Sequence, residues 1–61
     1  MNVTDDELID AYHKANLDRK VAKAGSGDLD ETFRRMHATE IALIERFGLG
    51  EHLRRYKERY P

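Results

Sequence analysis

The stretch Ala24-Gly25-Ser26-Gly27-Asp28-Leu29-Asp30-Glu31 decides the fold, because it can end one helix and begin the next within a few residues. Gly25 tolerates the left-handed backbone conformation that commonly closes a helix. Asp28 and Glu31 have the spacing of a capping box, in which two side chains satisfy amides left free at a helix start. A short turn between helices favours antiparallel neighbours, so this stretch predicts a helical hairpin.

The residues that precede this turn also carry the signals of a helix start. Thr4 and Glu7 repeat the capping-box spacing, while Val3 and Leu8 have the spacing of a hydrophobic staple. These devices are independent and point to the same boundary, so we predict a helix that begins at Asp5.

The apolar residues of this first helix change faces halfway along it. The set on the first face comprises Leu8, Tyr12 and Ala15. Leu17, Val21 and Ala24 have the same i, i+4, i+7 spacing on nearly the opposite face. Two interpretations stay open: the helix breaks near Asn16, or it runs unbroken to Ala24 and turns a second apolar face to a partner.

Two further helices are predicted after the turn. The first runs from Leu29 to Phe47, and its broad apolar stripe comprises Leu29, Phe33, Met36, Leu43, Ile44 and Phe47. The second covers Glu51 to Tyr60, with a stripe that comprises Leu53, Tyr56 and Tyr60. The predicted fold class is all-α: an antiparallel helical hairpin, its first helix intact or broken near Asn16, plus a short C-terminal helix.

Length and composition limit what such a chain can be. It has 61 residues, no cysteine and one proline, which predicts a single small helical domain over residues 1–61 without a disulfide or thiolate metal site. No apolar run approaches the ~18 residues of a membrane span, and the acidic N-terminus does not resemble a signal peptide. We therefore expect a cytoplasmic location and no membrane contact. A core this small needs very regular helix packing or self-association.

Charge alternates in sign along the chain, although the net charge is only −1. Residues 1–16 and 28–47 are acidic on balance, whereas residues 17–24 and 51–61 are basic. One interpretation is that acidic and basic helices pack against each other within the molecule or its oligomer. The other is that the two basic segments form one patch for an anionic partner, although nucleic-acid-binding domains usually carry a larger positive excess.

The titratable residues do not form a recognisable catalytic arrangement. Asp10 with His13, and His37 with Glu40, are carboxylate–histidine pairs of a kind that binds metal in some helical bundles. Asp10 and His13 lie off the first apolar stripe, so we expect them to face water. Glu40 falls within an apolar stripe, so we expect a cationic partner or a wet edge for it. We predict no enzymatic activity, no cofactor and no metal site.

Residues 21–36, Val-Ala-Lys-Ala-Gly-Ser-Gly-Asp-Leu-Asp-Glu-Thr-Phe-Arg-Arg-Met, resemble a helix-turn-helix in their basic first helix, small-residue turn and Phe-Arg-Arg-Met ending. The resemblance implies DNA binding. It departs from the pattern at the start of the second helix, because recognition helices read bases there and this chain carries acids. The alternative function is a helix-turn-helix-like regulator that contacts nucleic acid through Arg19, Lys20, Lys23, Arg34 and Arg35.

Residues 3–15, Val-Thr-Asp-Asp-Glu-Leu-Ile-Asp-Ala-Tyr-His-Lys-Ala, resemble the opening helix of the small helical-hairpin inhibitors of sporulation histidine kinases. Residues 29–33 and 40–41 are a looser match to the second helix of that family. The two segments are several residues further apart here, and the basic C-terminal helix has no counterpart. The resemblance implies a function for this chain, which is to insert an amphipathic hairpin against a helical partner.

The residues favour a small non-enzymatic protein-interaction or regulatory module that self-associates. Adjacent tyrosine and arginine side chains, as in the last ten residues, are types that interfaces favour. The candidate partner-binding residues are Leu17, Val21, Ala24, Leu53, Arg55, Tyr56, Arg59 and Tyr60. The tyrosine stripe has a second interpretation, which is that it packs on the hairpin of the same molecule.

Overall fold

The computed structural model describes residues 3–25 and 27–61, and over these residues the chain forms three helices and no strand. They are α1 (Asp5–Lys23), α2 (Leu29–Phe47) and α3 (Glu51–Arg59). α1 and α2 pack against each other as a hairpin, and α3 follows as a short third helix. The predicted all-α fold class is confirmed.

α1 begins where the capping signals place it and runs without interruption. The hydroxyl oxygen of Thr4 accepts a hydrogen bond from the amide of Glu7 at 3.1 Å. The helix continues through Asn16 to Lys23, so the interpretation with a break near Asn16 is wrong. Asparagine is only a weak helix former, and no glycine or proline interrupts this segment. The second apolar face therefore belongs to the same helix as the first.

The turn between α1 and α2 is built from the predicted capping residues. Gly25 has a φ of +98°, and a carboxylate oxygen of Asp28 accepts from the amide of Glu31 at 3.2 Å. The predicted turn also includes Ser26, which lies outside the described residues. Both helix ends at the turn are thus set by local interactions.

The core is thin and differs from the predicted stripe. Among residues 3–25 and 27–61, the buried apolar residues are Ile9, Ala15, Ala22 and Leu43, and of these only Leu43 is covered completely. Of the predicted α2 stripe, Leu29 and Phe33 remain 45% and 49% exposed. Thr32 is buried nearer the turn, where its hydroxyl donates to the backbone oxygens of Asp28 and Leu29, both at 3.0 Å.

His52 is the other polar residue in the core. Its side chain is 2% exposed, and Nδ1 accepts a hydrogen bond from the amide of Gly50 at 3.2 Å. No side chain caps the start of α3 at Gly50 itself. The imidazole therefore satisfies a free amide at the start of this helix, in the way that a capping residue would.

The molecule is more open than its mass requires. Its accessible surface is 4538 Å², about 10% above the roughly 4,100 Å² that area scaling gives for a folded chain of this mass. Its radius of gyration is 11.8 Å, against about 10.5 Å for a compact domain of this length. The larger radius of gyration goes with an elongated shape, which extends 32 × 27 × 20 Å along its principal axes.

Replacing Gly25 with alanine tests the turn. A Cβ at a φ of +98° is strained, and we expect Gly25→Ala to lower the free energy of unfolding by about 1 kcal/mol. Gly27→Ala is the matched control, because its Cβ would meet Ala22 at 3.6 Å, an ordinary contact. The measurement is chemical denaturation followed by circular dichroism. Equal stability of the two variants would contradict a turn that depends on Gly25.

Candidate interaction surface

A polar cluster joins α3 to the N-terminal half of α1. Arg59 donates two hydrogen bonds to Asp10, from Nε to Oδ1 at 2.6 Å and from Nη2 to Oδ2 at 3.0 Å. The hydroxyl of Tyr60 also donates to Asp10, and Nη1 of Arg59 lies 3.4 Å from a carboxylate oxygen of Asp6. This fork-to-fork geometry is the stronger form of ion pair, because it fixes both partners in direction as well as distance.

His13 completes the cluster one turn further along α1. Its Nδ1 is 2.6 Å from the hydroxyl of Tyr56. Its ring stacks on Tyr60, with centroids 3.8 Å apart and planes 10° apart. Tyr12 meets Tyr56 edge to face at 5.3 Å. Tyr56 of α3 and Tyr60, which directly follows α3, therefore pack on α1 through their rings and bond to it through their hydroxyls.

The cluster sets the protonation of its members. Hydrogen bonds from Arg59 and then from Tyr60 lower the pKa of Asp10 to about 2. The pKa of Tyr60 is raised because its hydroxyl donates to that carboxylate. Burial raises the pKa of Tyr56 as well. At neutral pH the cluster thus holds a charged carboxylate and neutral phenols.

The expectation that Asp10 and His13 face water holds only in part, since the Asp10 side chain is 43% exposed but is also bonded to Arg59 of α3. They lie off the apolar stripe that faces α2, but α3 covers that side of α1 with cationic and aromatic side chains. The alternation of acidic and basic segments along the sequence was the feature that could have predicted the contact between α1 and α3. Arg46 with Asp5 at 3.4 Å and Arg35 with Asp18 at 3.5 Å join α2 to α1 in the same way.

The predicted partner-binding residues of α3 divide into two groups. Tyr56, Arg59 and Tyr60 contact α1 as described, and the guanidinium of Arg55 lies over the ring of Phe47, 4.9 Å from its centroid. Leu53 is 45% exposed, and the side chains of Arg55 and Arg59 also stay 43% and 38% exposed. The structure therefore brings four of these side chains into contacts within the molecule, and a role for them in partner binding stays a prediction.

The predicted residues of α1 lie at the surface. Leu17 is 46% exposed, Val21 is 52% exposed, and Ala24 is exposed. We call these three residues the α1 strip. Lys14 and Lys20, three residues to either side of Leu17, make no ion pair within the described residues.

An open groove runs between α1 and α2 on another side of the hairpin. Its volume is about 290 Å³, and its small lining residues are Ala11, Ala15, Ala38 and Thr39. The Asp18–Arg35 ion pair lies beside it, and Val21 lines its continuation toward the turn. At about 100° per residue, Ala11 and Ala15 lie about 100–160° around α1 from Asp10 and His13, whereas Val21 lies within about 80° of both. We call this side of the hairpin the groove face.

Two of the predicted nucleic-acid contacts also make contacts within the hairpin, and a role in nucleic-acid binding stays a prediction for all five. Arg35 pairs with Asp18. Arg19 is half-buried, with its guanidinium 5.8 Å from the ring centroid of Phe33 and its Nε buried without a hydrogen-bond partner. Lys20, Lys23 and Arg34 are exposed and make no ion pair within residues 3–25 and 27–61. Two of the five side chains are thus engaged by the hairpin itself.

Glu40 is half-buried, and no cation pairs with it in the part of the chain that the structure describes. Over the same residues, no group of three or more histidine or carboxylate side chains is placed to hold a metal ion. None of the three helices is both long and apolar enough to cross a bilayer. Comparison with protein-family models, with curated proteins and with solved structures finds no match to this chain.

The polar cluster predicts an acid-sensitive part of the stability. Asp10 has a folded pKa of about 2, below the value of about 3.9 for an unfolded chain. Its contribution is therefore complete above about pH 4 and is lost as the pH falls toward 2. We expect Asp10→Asn to reduce the difference in melting temperature between pH 7 and pH 2.5.

The control for this test is Asp30→Asn, since Asp30 makes no side-chain hydrogen bond or ion pair within the described residues. Glu51, whose pKa is also lowered to about 2 by Arg54, keeps its contribution in both variants. Thermal unfolding followed by circular dichroism gives the two melting temperatures. If Asp10→Asn and Asp30→Asn responded alike to acid, the ion pair would not be holding α3.

Proposed function

We propose that this chain is a small, non-enzymatic protein-interaction module that acts in a regulatory role in the cytoplasm. Its contact surface is the C-terminal half of α1. The observation that carries the proposal is that Leu17 and Val21 are about half exposed on an unbroken helix. Scattered surface leucines are ordinary, but these two lie one turn apart on a single strip.

The position of α3 also supports the C-terminal half of α1 as the contact surface. Asp10, His13 and Leu17 follow one another at i, i+3 and i+7 along one side of α1. Side chains of α3 contact Asp10 and His13, whereas Leu17 lies one turn beyond His13. The side of α1 that already binds one helix therefore continues as an uncovered apolar strip.

The chemistry of the strip defines a matching partner. Fully burying a valine or leucine side chain stabilises a complex by roughly 1.5–3 kcal/mol, so covering the exposed halves of Leu17 and Val21 contributes about half of that per residue. Lys14 and Lys20 flank the strip. A helix with an apolar ridge and carboxylates beside it would match both features, which is the helix-in-groove mode of recognition.

Introducing negative charge into the α1 strip tests this proposal. We expect the double variant Leu17→Glu, Val21→Glu to reduce capture of host proteins by the purified chain at least tenfold, because two carboxylates cannot be buried without partners. Quantitative pull-down from the native host, with circular dichroism to verify helicity, is the measurement. Ile41→Glu is the matched control, since Ile41 is 44% exposed on α2 and belongs to none of the candidate partner-binding residues. Unchanged capture by the strip variant would reject this surface.

The alternative function is nucleic-acid binding, and one observation favours it. Lys20, Lys23 and Arg34 are exposed near the turn. Asp28, Asp30 and Glu31 are exposed close by and would repel phosphates. Titration with labelled duplex DNA at two salt concentrations separates the two functions, because phosphate contacts give a steep dependence on salt. We expect no binding at low salt, and tight, salt-sensitive binding would favour the alternative.

A further inference from the structure

We propose that the outer side of α2, which is turned away from α1, is a dimerisation surface on which α2 of a second copy of this chain packs antiparallel. At about 100° per residue, Phe33, His37 and Ile41 form one ridge centred on His37. Leu43, which is completely buried, lies about 120° around the helix from that centre. We call Phe33, His37 and Ile41 the α2 ridge. It shares no residue with the α1 strip.

The α2 ridge is exposed along its length. Phe33 and Ile41 are 49% and 44% exposed, and His37 between them is exposed as well. The rings of Phe33 and His37 lie parallel to within 4°, with their centroids 6.3 Å apart. The contact between Arg55 of α3 and Phe47 lies about 80° around α2 from His37, which leaves the ridge open to a second helix.

The apolar side chains of α2 are complementary to themselves in the antiparallel direction. His37 and Ile41 have their midpoint at Thr39. The midpoint of Phe33 and Ile44 lies about half a residue away, or about 0.8 Å along the helix. A two-fold axis at the level of Thr39 therefore places His37 of each copy against Ile41 of the other, and Phe33 against Ile44. An interface of this kind is isologous and closes as a dimer.

The same axis joins charged side chains that have no partner within one molecule. Arg34 and Glu45 are exposed and make no ion pair among the described residues. They lie on one flank of the ridge, about 60° and 80° around α2 from His37, and their midpoint is also about half a residue from Thr39. A two-fold axis perpendicular to the helices keeps like flanks together, so Arg34 of each copy meets Glu45 of the other. This charge complementarity assigns the surface to a second copy.

Glu40 also gains a partner in this arrangement. It is half-buried, and no cation pairs with it in the part of the chain that the structure describes. It lies on the other flank, about 60° around α2 from His37, and at the level of His37 of the second copy. The imidazole N–H of that copy can donate to the carboxylate. The two Glu40 side chains near the axis thus each lie beside an imidazole, and neither is buried alone.

The interface is small, because each copy contributes one helix to it. The contact from Phe33 to Glu45 extends about 18 Å along α2. The buried area therefore falls below the roughly 1,200 Å² at which standard protein interfaces begin. We expect a weak dimer with a dissociation constant between about 0.1 and 1 mM, and a monomer at low micromolar concentration.

Reversal of the two charges tests the pairing. Sedimentation equilibrium from about 20 μM to about 2 mM brackets the expected affinity, and we expect the mass to rise from 7.1 kDa toward twice that value. Arg34→Glu and Glu45→Arg should each raise the dissociation constant about tenfold, because each variant brings like charges together at both ends of the interface. An equimolar mixture of the two variants should regain the dimer, since every pair then joins opposite charges.

Two further variants locate the interface. Ile41→Glu should raise the dissociation constant at least tenfold, because it places a charge in the apolar ridge. Lys14→Glu is the matched control and should leave the dissociation constant unchanged. Lys14 is exposed on the groove face, and it makes no ion pair within residues 3–25 and 27–61. All the substituted residues are exposed, so the variants should fold, and circular dichroism verifies their helicity.

A mass of 7.1 kDa at every concentration would overturn the proposal. A dimer that either charge reversal leaves intact would overturn it as well, and so would a mixture of the two variants that stays monomeric. The proposed function is judged separately, because the chain is monomeric at the low micromolar concentrations of a pull-down. Ile41→Glu should lose the dimer and keep the capture of host proteins, whereas Leu17→Glu, Val21→Glu should lose capture and keep the dimer.

Discussion

The contact of Asp10 with Arg59 and Tyr60 determines how the surface of this molecule is divided. It joins the end of α3 to the N-terminal half of α1 through a two-pronged ion pair and a phenol hydroxyl. Because α3 has only nine residues, it covers one part of one side of α1. The α1 strip stays open because Leu17 lies one turn beyond His13, which contacts Tyr56 of α3.

Because α1 is unbroken, its second apolar face stays exposed. If the helix had broken near Asn16, its second half could have rotated to bury Leu17 and Val21 in the same core. An unbroken helix cannot bury two opposite faces against one neighbouring helix, so one face stays outside. The exposure of these residues thus follows from helix geometry together with the absence of a glycine or proline in the middle of α1.

Features that depend on neighbours in sequence could be predicted, and features that depend on distant packing could not. The start of α1 at Asp5, the turn at Gly25 and the bounds of α2 follow from capping side chains and glycine conformation, which act within four residues. The burial of Thr32 and His52 could not be anticipated, since it depends on which neighbouring element covers each position. The docking of Asp10 and His13 was missed for the same reason, although charge alternation along the chain contained the signal.

The division of charged and apolar residues bears on which kind of partner the surface suits. Arg35, Arg46, Arg54, Arg55 and Arg59 all lie within 4 Å of a carboxylate in the same chain. Such pairs reduce the positive potential that a nucleic acid would meet, because each cation is already neutralised by an acid beside it. The apolar residues show the opposite imbalance, since more of them are present than the hairpin core accommodates. Burying such exposed apolar area against another apolar surface is favourable, whereas phosphates offer no apolar surface, and this supports the proposal of a protein partner.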